Sequence, residues 1–318
     1  MHPALATSPA ALAKANARSS RTDGATVQRA KGGKSMRQRY RLWLIAAVLL
    51  WSGPIWAQQV LLAPFTEGNV PVDAMASADL FAQTTPLTIP LWPQIIAIPH
   101  GGGTVPHISV RALHNGKTLF LQFTWEDAKP NRELFKYEEF SDAVAIQFPV
   151  SPAVVPTPFM GDAQHPVNIW QWKAAWDADR FRLRGVEQVY PNIHMDFYFE
   201  EAYIWDQQLK AAFTPGRAAG NLQSQSVRHS AVEDLVAFGF GTIQSQVRQD
   251  VQGAGHWQDG RWVVVMARDL TTPDPFDVQL RPGDSVLFNI AVWEGSNGDR
   301  GGQKSVSFEW WKLALLPR

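Results

Sequence analysis

The sequence predicts a mainly β protein, an antiparallel β-sandwich interrupted by a long central excursion with a few short helices. Three observations carry that expectation. Short apolar or alternating runs bounded by Gly, Pro, Asn and Asp recur between residues 58 and 318, the pattern of strands joined by turns. His114-Asn115-Gly116-Lys117 and Gln258-Asp259-Gly260-Arg261 place Asn-Gly and Asp-Gly after such runs, and those pairs accept the positive φ angles of a two-residue hairpin turn. The 14 tryptophans and 17 phenylalanines provide enough bulk to fill the space between two sheets or to grip a flat ligand.

Taken in order, the expected strands are Val60–Phe65, His107–Leu113, Thr118–Trp125, Ala143–Val150, Val167–Ala174, Trp262–Arg268, Val286–Trp293 and Ser305–Leu315. In Thr118–Trp125, Leu119, Leu121 and Phe123 alternate with Phe120, Gln122 and Thr124, closer to period two than to a helical period. From Asp177 to Asp250 the rhythm stops. This stretch is charged and rich in Gln and Ser, with Pro191, Pro215 and Gly220-Asn221. It reads as an excursion with helices around Ala178–Gln188 and Glu200–Ala211, of a length usually reserved for functional or partner-facing segments. Glu233 to Thr242 reads as its return to the sandwich, with glycines that permit close backbone approach.

The front of the chain has a different character. Residues 1–35 are rich in Ala, Ser, Lys and Arg without apolar periodicity, an unstructured leader or a stretch ahead of the true start at Met36. Residues 36–57 read as an export signal: Arg37, Arg39 and Arg41 precede an apolar run from Leu42 to Trp51 and a small-residue stop at Ala57. That run is about half of the ~20 residues a membrane span requires, so no stable span is expected after cleavage. Residues 58–90 then form an N-terminal strand and connecting segment, and residues 91–318 the main domain. Lys+Arg and Asp+Glu are equal at 29 each, which leaves no basic field for nucleic acid.

The absence of cysteine excludes iron–sulfur clusters and thioether-linked haem, so any redox cofactor must rest on Met, His or Lys. Gly101-Gly102-Gly103-Thr104 lacks the Lys-Ser/Thr of a phosphate loop and reads as a turn. His100, His107 and His114 are spaced by seven, which does not converge on one ion across strands and turns. Two residues stand out. Met160 follows the rigid Pro156-Thr157-Pro158-Phe159 and precedes Gly161-Asp162, a setting that presents a thioether from a loop. Lys304 lies in a Gly-rich loop before the last aromatic strand, expected at an open end of the sandwich where binding groups collect. The ordinary alternatives are core filler for Met160 and a solvated ammonium for Lys304.

Several blocks in order carry a resemblance: Phe159-Met160-Gly161-Asp162, Val167-Asn168-Ile169-Trp170-Gln171-Trp172-Lys173-Ala174, Ala218-Ala219-Gly220-Asn221, Gly239-Phe240-Gly241-Thr242, and Trp293-Glu294-Gly295-Ser296 with Gly302-Gln303-Lys304-Ser305-Val306-Ser307. They resemble the haem b-binding γ subunits of the ethylbenzene dehydrogenase and dimethylsulfide dehydrogenase family. The resemblance covers about Leu91 to Leu315. It implies a DOMON-like, haem-binding β-sandwich with one b-type haem in a cleft. It also implies methionine and lysine as axial ligands, and assembly in the periplasm with a molybdopterin catalytic subunit and an iron–sulfur subunit.

Carried over to this sequence, the resemblance marks Met160 and Lys304 as haem-iron ligands. Trp170, Trp172 and Lys173 belong to the cofactor-binding strand, with Lys173 as the alternative lysine and His229 or His165 as substitutes if neither lysine serves. With both axial positions filled, the implied role is electron transfer to or from a soluble carrier such as cytochrome c, without catalysis in this chain. A second reading from a different class stays open: an aromatic-rich sandwich that binds a carbohydrate or another small ligand.

Overall fold

Apolar and alternating runs of side chains, punctuated by turn residues, give this chain its strands. The computed structural model describes residues 60–180, 184–194, 215–224 and 228–318. The leader and export signal expected at residues 1–57, and the helix expected at Glu200–Ala211, lie outside the described residues.

The strands are β1 (Val60–Ala63), β2 (Leu87–Pro90), β3 (Trp92–Pro93), β4 (His107–His114), β5 (Thr118–Glu126), β6 (Ala143–Pro149), β7 (Val167–Lys173), β8 (Val232–Ala237), β9 (Gln244–Ser245), β10 (Gln252–Gln258), β11 (Arg261–Asp269), β12 (Ser285–Trp293), β13 (Ser305–Val306) and β14 (Trp311–Leu315). The helices α1 (Ala78–Ala82), α2 (Ala174–Ala178) and α3 (Pro215–Ala218) are each about one turn long. A nine-stranded sheet runs β1-β14-β12-β6-β7-β8-β9, with β13 joining β12 to β3, and a five-stranded sheet runs β10-β11-β5-β4-β2. Among the described residues every pairing between these strands is antiparallel except β1 with β14.

The two sheets face each other across one core. Ile108, Val110, Phe123 and Trp262 from the small sheet share a buried cluster with Val144, Ile146, Trp170, Trp172 and Val292 from the large one. A polar plug crosses the same interior. Arg268 and Asp277, both fully buried, pair at 3.2 Å, and Arg268 also donates to Asn168 Oδ1 at 2.9 Å. A buried charge pair needs such added hydrogen bonds to offset its desolvation.

The antiparallel sandwich is thus the one the sequence predicts, with three local corrections. The final run expected over Ser305–Leu315 is two strands, because Asn289 Nδ2 donates to the carbonyls of Ser307 and Glu309 and pulls the chain out of the ladder between them. The helix expected at Ala178–Gln188 ends at Ala178, and a 3₁₀ turn covers Val186–Gln188 after Gly185. β10 was hidden from the pattern by Gly253 and Gly255. A Cβ on Gly255 would lie 2.3 Å from the Trp172 ring, so sheet packing demands the glycine that weakens the strand signal.

Candidate functional site

A cavity of about 490 Å³ lies on the outer face of the large sheet, turned away from the inter-sheet core. Its size is that of an ordinary small-molecule or cofactor site. β6, β7 and β12 form its floor. Ala145 lies opposite Ala291 on one side and Gln171 on the other, so the middle of the floor carries short side chains and leaves room above. Ile169, Gln147 and Asn289 continue it.

Three loops wall the cleft. One carries Phe159 and Met160, one carries Phe240 and Ile243, and the third comprises Gly301 to Phe308 together with residues 94–98. Phe159 stacks on Phe240 with ring centroids 6.4 Å apart and meets Phe308 edge-on at 5.9 Å. Among the described residues, the lining contains no histidine and no carboxylate.

Met160 is half-buried and lines the cleft. Its φ of 68° puts it in the left-handed region, which costs a side-chain-bearing residue about 1–2 kcal/mol. The surroundings fix it there: Met160 O accepts from Gly239 N at 2.8 Å, Trp310 Nε1 donates to Pro156 O at 2.8 Å, and Gln147 donates to Pro158 O. Strain held in place by several contacts is characteristic of functional loops.

Lys304 lines the same cleft. Its Nζ lies 4.8 Å from the centre of the Trp293 ring, and among the described residues no carboxylate is paired with it. Burial without a compensating anion pushes its pKa down to about 8, toward the neutral amine that a metal could take. The backbone is clamped as well. Lys304 N donates to Gly101 O at 3.1 Å and Lys304 O accepts from Gln94 N at 3.0 Å. A Cβ on Gly102 would sit 2.2 Å from Lys304 C, so the glycine triplet read as a plain turn is a cradle for the Lys304 backbone. The sequence signal for this was the triplet itself, which carries no mark of its partner about 200 positions away.

Lys173 also reaches the cleft, at another end of the floor. Its Nζ is ion-paired with buried Glu233 and lies 4.2 Å from the centre of the Trp176 ring. Desolvation lowers its pKa while Glu233 opposes the shift. Glu233 is further held by Gln223 Nε2 at 3.3 Å and by the Ser245 hydroxyl. The amine of Lys173 already has a carboxylate partner.

Trp170 and Trp172 are on the same strand but not in the cleft. Period-two alternation sends them to the opposite face, where both are fully buried. Trp170 Nε1 donates to Asn168 Oδ1 at 3.1 Å, and Trp172 meets the Trp262 ring at 4.9 Å. Neither of them lines the cleft, contrary to the expectation for this strand; they form the underside of its floor. His165 is bound to Asp162, Nδ1 to Oδ1 at 2.9 Å. His229 is exposed and lines a separate small pocket with Arg180 and Arg228.

The ethylbenzene dehydrogenase family model matches residues 78–305, a span that contains Met160 and Lys304. The chain belongs to that family. Relatives include the chlorate reductase subunit gamma of Ideonella dechloratans, 24% identical over 258 residues that cover 81% of this chain and 85% of the relative. A candidate respiratory nitrate reductase heme subunit of Haloferax mediterranei is 23% identical, covering 78% of this chain and 74% of its own. The dimethylsulfide dehydrogenase subunit gamma of Rhodovulum sulfidophilum is 24% identical, with 65% and 60% covered. Among solved structures, a family 9 carbohydrate-binding module from Caldicellulosiruptor kristjanssonii in complex with glucose aligns at 6% identity and a TM-score of 0.39, covering 82% of this chain and 97% of that chain. A score of that size carries no inference about ligand.

Proposed function

We propose that this chain is a periplasmic b-type cytochrome subunit. It holds haem b without a covalent link and passes electrons between the iron–sulfur subunit of a molybdopterin oxidoreductase and a soluble carrier such as cytochrome c. One observation carries the reading: the strained thioether of Met160 and the unpaired amine of Lys304 line one carboxylate-free cleft.

The residues present fit that group. The alanine-floored cavity suits a flat macrocycle, and Phe159, Phe240 and Phe308 offer ring faces and edges to it. Met160 and Lys304 would hold the iron, a soft neutral thioether and a deprotonated amine. Haem supplies one-electron redox chemistry when bound. The chain's own work is to exclude water with the three loops, to keep Lys304 free of any counter-anion, and to hold Met160 in a conformation it would not adopt alone. With two protein ligands the iron offers no open position to a substrate, which supports electron transfer over catalysis.

Names of the relatives as gamma subunits support assembly with catalytic and iron–sulfur partners. Around the cleft mouth, Ile96, Ile98, Phe240 and Ile243 are exposed, an apolar rim of the kind that partners cover. Among the described residues no helix is long and apolar enough to cross a membrane. Placement in the periplasm rests on the sequence features of residues 36–57.

Reconstitution of the exported chain with haem tests the proposal. Reduced b-type absorption bands at one haem per chain are expected, and their absence after reconstitution would overturn the reading in favour of a cofactor-free ligand-binding sandwich.

A further inference from the structure

Away from the cleft, at one end of the sandwich, three acids from distant parts of the sequence converge. Asp127 follows β5 directly, Asp142 immediately precedes β6, and Glu294 follows β12. One carboxylate oxygen from each lies within 4.8 Å of the others. Asp142 is fully buried, Asp127 is 3% exposed and Glu294 is half-buried.

Most of their oxygens are oriented by neutral donors. Asp142 Oδ1 accepts from Gly295 N at 2.8 Å, and its Oδ2 accepts from Asn131 N at 2.6 Å and Trp262 Nε1 at 3.0 Å. Asp127 Oδ1 accepts from Lys129 N at 2.9 Å, and Glu294 Oε1 from Ser296 N at 3.0 Å. Asp127 Oδ2 is buried without any hydrogen-bond partner. Among the described residues no Lys, Arg or His is ion-paired with any of the three. Arg132 lays its guanidinium over the Trp262 ring at 4.9 Å.

Buried carboxylates are normally paired with a cation or bound to a metal, because an uncompensated buried charge is costly. Burial, reinforced by the charge of Asp127, holds Asp142 up near 8. This cluster therefore lacks a positive partner, and its vacant acceptor belongs to a residue that cannot reach bulk water.

We propose that Asp127, Asp142 and Glu294 bind a hard divalent cation, Ca²⁺ by ligand chemistry, which ties the end of β5, the start of β6 and the loop after β12 together. Oxygen-only donors with no histidine or thiolate favour such a cation over zinc or iron. Ca–O distances of about 2.3–2.6 Å put opposite oxygens about 4.6–5.2 Å apart, a range that admits this spacing. The loop so anchored runs from Gly295 to Lys304, so the cation steadies one wall of the cleft from outside it. The site does not depend on the haem reading.

Terbium luminescence tests the assignment on the full chain freed of metal with EDTA. Trp262, bonded to Asp142, is a built-in sensitiser for bound Tb³⁺. We expect saturable Tb³⁺ luminescence displaced by Ca²⁺, and a melting temperature higher in excess Ca²⁺ than in EDTA by roughly 5 °C. Asp127→Asn should weaken both by at least about tenfold in cation concentration. If that variant does not fold, Glu294→Gln, at the half-buried member, provides the same comparison. A wild-type chain that gives no saturable signal and melts alike in Ca²⁺ and EDTA overturns the proposal. Unchanged affinity in the folded variants also overturns it, because the cation would then sit elsewhere.

Discussion

Two lysines enter the same cleft and meet opposite fates. Lys173 finds Glu233 on the neighbouring strand, lies over Trp176 and is held in an ion pair. Lys304 finds only the Trp293 ring and a clamped backbone, and burial lowers its pKa to about 8. Both are half-buried. The difference teaches that availability for a metal depends on the partner that is missing: an amine already satisfied by a buried carboxylate must break that pair before it can bind anything else.

The sharpest way to break the comparison is to exchange the roles. Lys304→Met should lower haem affinity by at least about tenfold and change the ligand-sensitive absorption bands, whereas Lys173→Met should leave those bands in place. Spectra of both variants titrated with haem decide between the lysines, and the reverse pattern would transfer the iron to Lys173. Met160→Ala belongs to the same class of effect. Loss of a thioether ligand should lower the midpoint potential, since methionine ligation raises it, and redox titration of the variant gives the sign.

Stability separates the lysines in a second way. Lys173→Ala strands buried Glu233, and the apoprotein should lose about 1–3 kcal/mol, reduced from the fully buried case by the partial exposure of the pair. Denaturant melts should show the double change Lys173→Met with Glu233→Gln costing less than Lys173→Met alone. Lys304→Met removes no ion pair and should leave the apoprotein at least as stable at pH 7.

The lysines also differ in pH dependence. In the folded apoprotein Lys304 titrates near 8, against about 10.4 when unfolded. Between those values the unfolded chain binds more protons, so stability should rise with pH from about 8 to 10 and be lowest below 8. Melts at pH 7 and pH 9.5 should lose that rise in Lys304→Met. A slope that survives the substitution would assign it to other groups.

Much of the fold was legible because period-two patterning and the turns at Asn115-Gly116 and Asp259-Gly260 are local signals. β10 was illegible, since Gly255 is dictated by a tryptophan on the other sheet. Met160 could be read as a candidate from its Pro- and Gly-flanked loop. Trp170 and Trp172 attracted the same attention for their chemistry, yet strand alternation alone put them on the face opposite Lys173. The position of the cleft was missed for a related reason: a sandwich was expected to bind at its open end, and the short side chains of Ala145 and Ala291 that make room on the outer face come from strands far apart in the chain.

By itself the sequence determined the mainly β architecture, the exclusion of thiolate-held cofactors and the two leading ligand candidates. Those follow from local periodicity and from which functional groups the chain contains. Only the tertiary structure decided which lysine is free, which strand face meets the cleft, and that three separate carboxylates share one buried corner. Each of those depends on side chains that meet only after distant strands pair, because burial and the presence or absence of a counter-charge are properties of the folded neighbourhood.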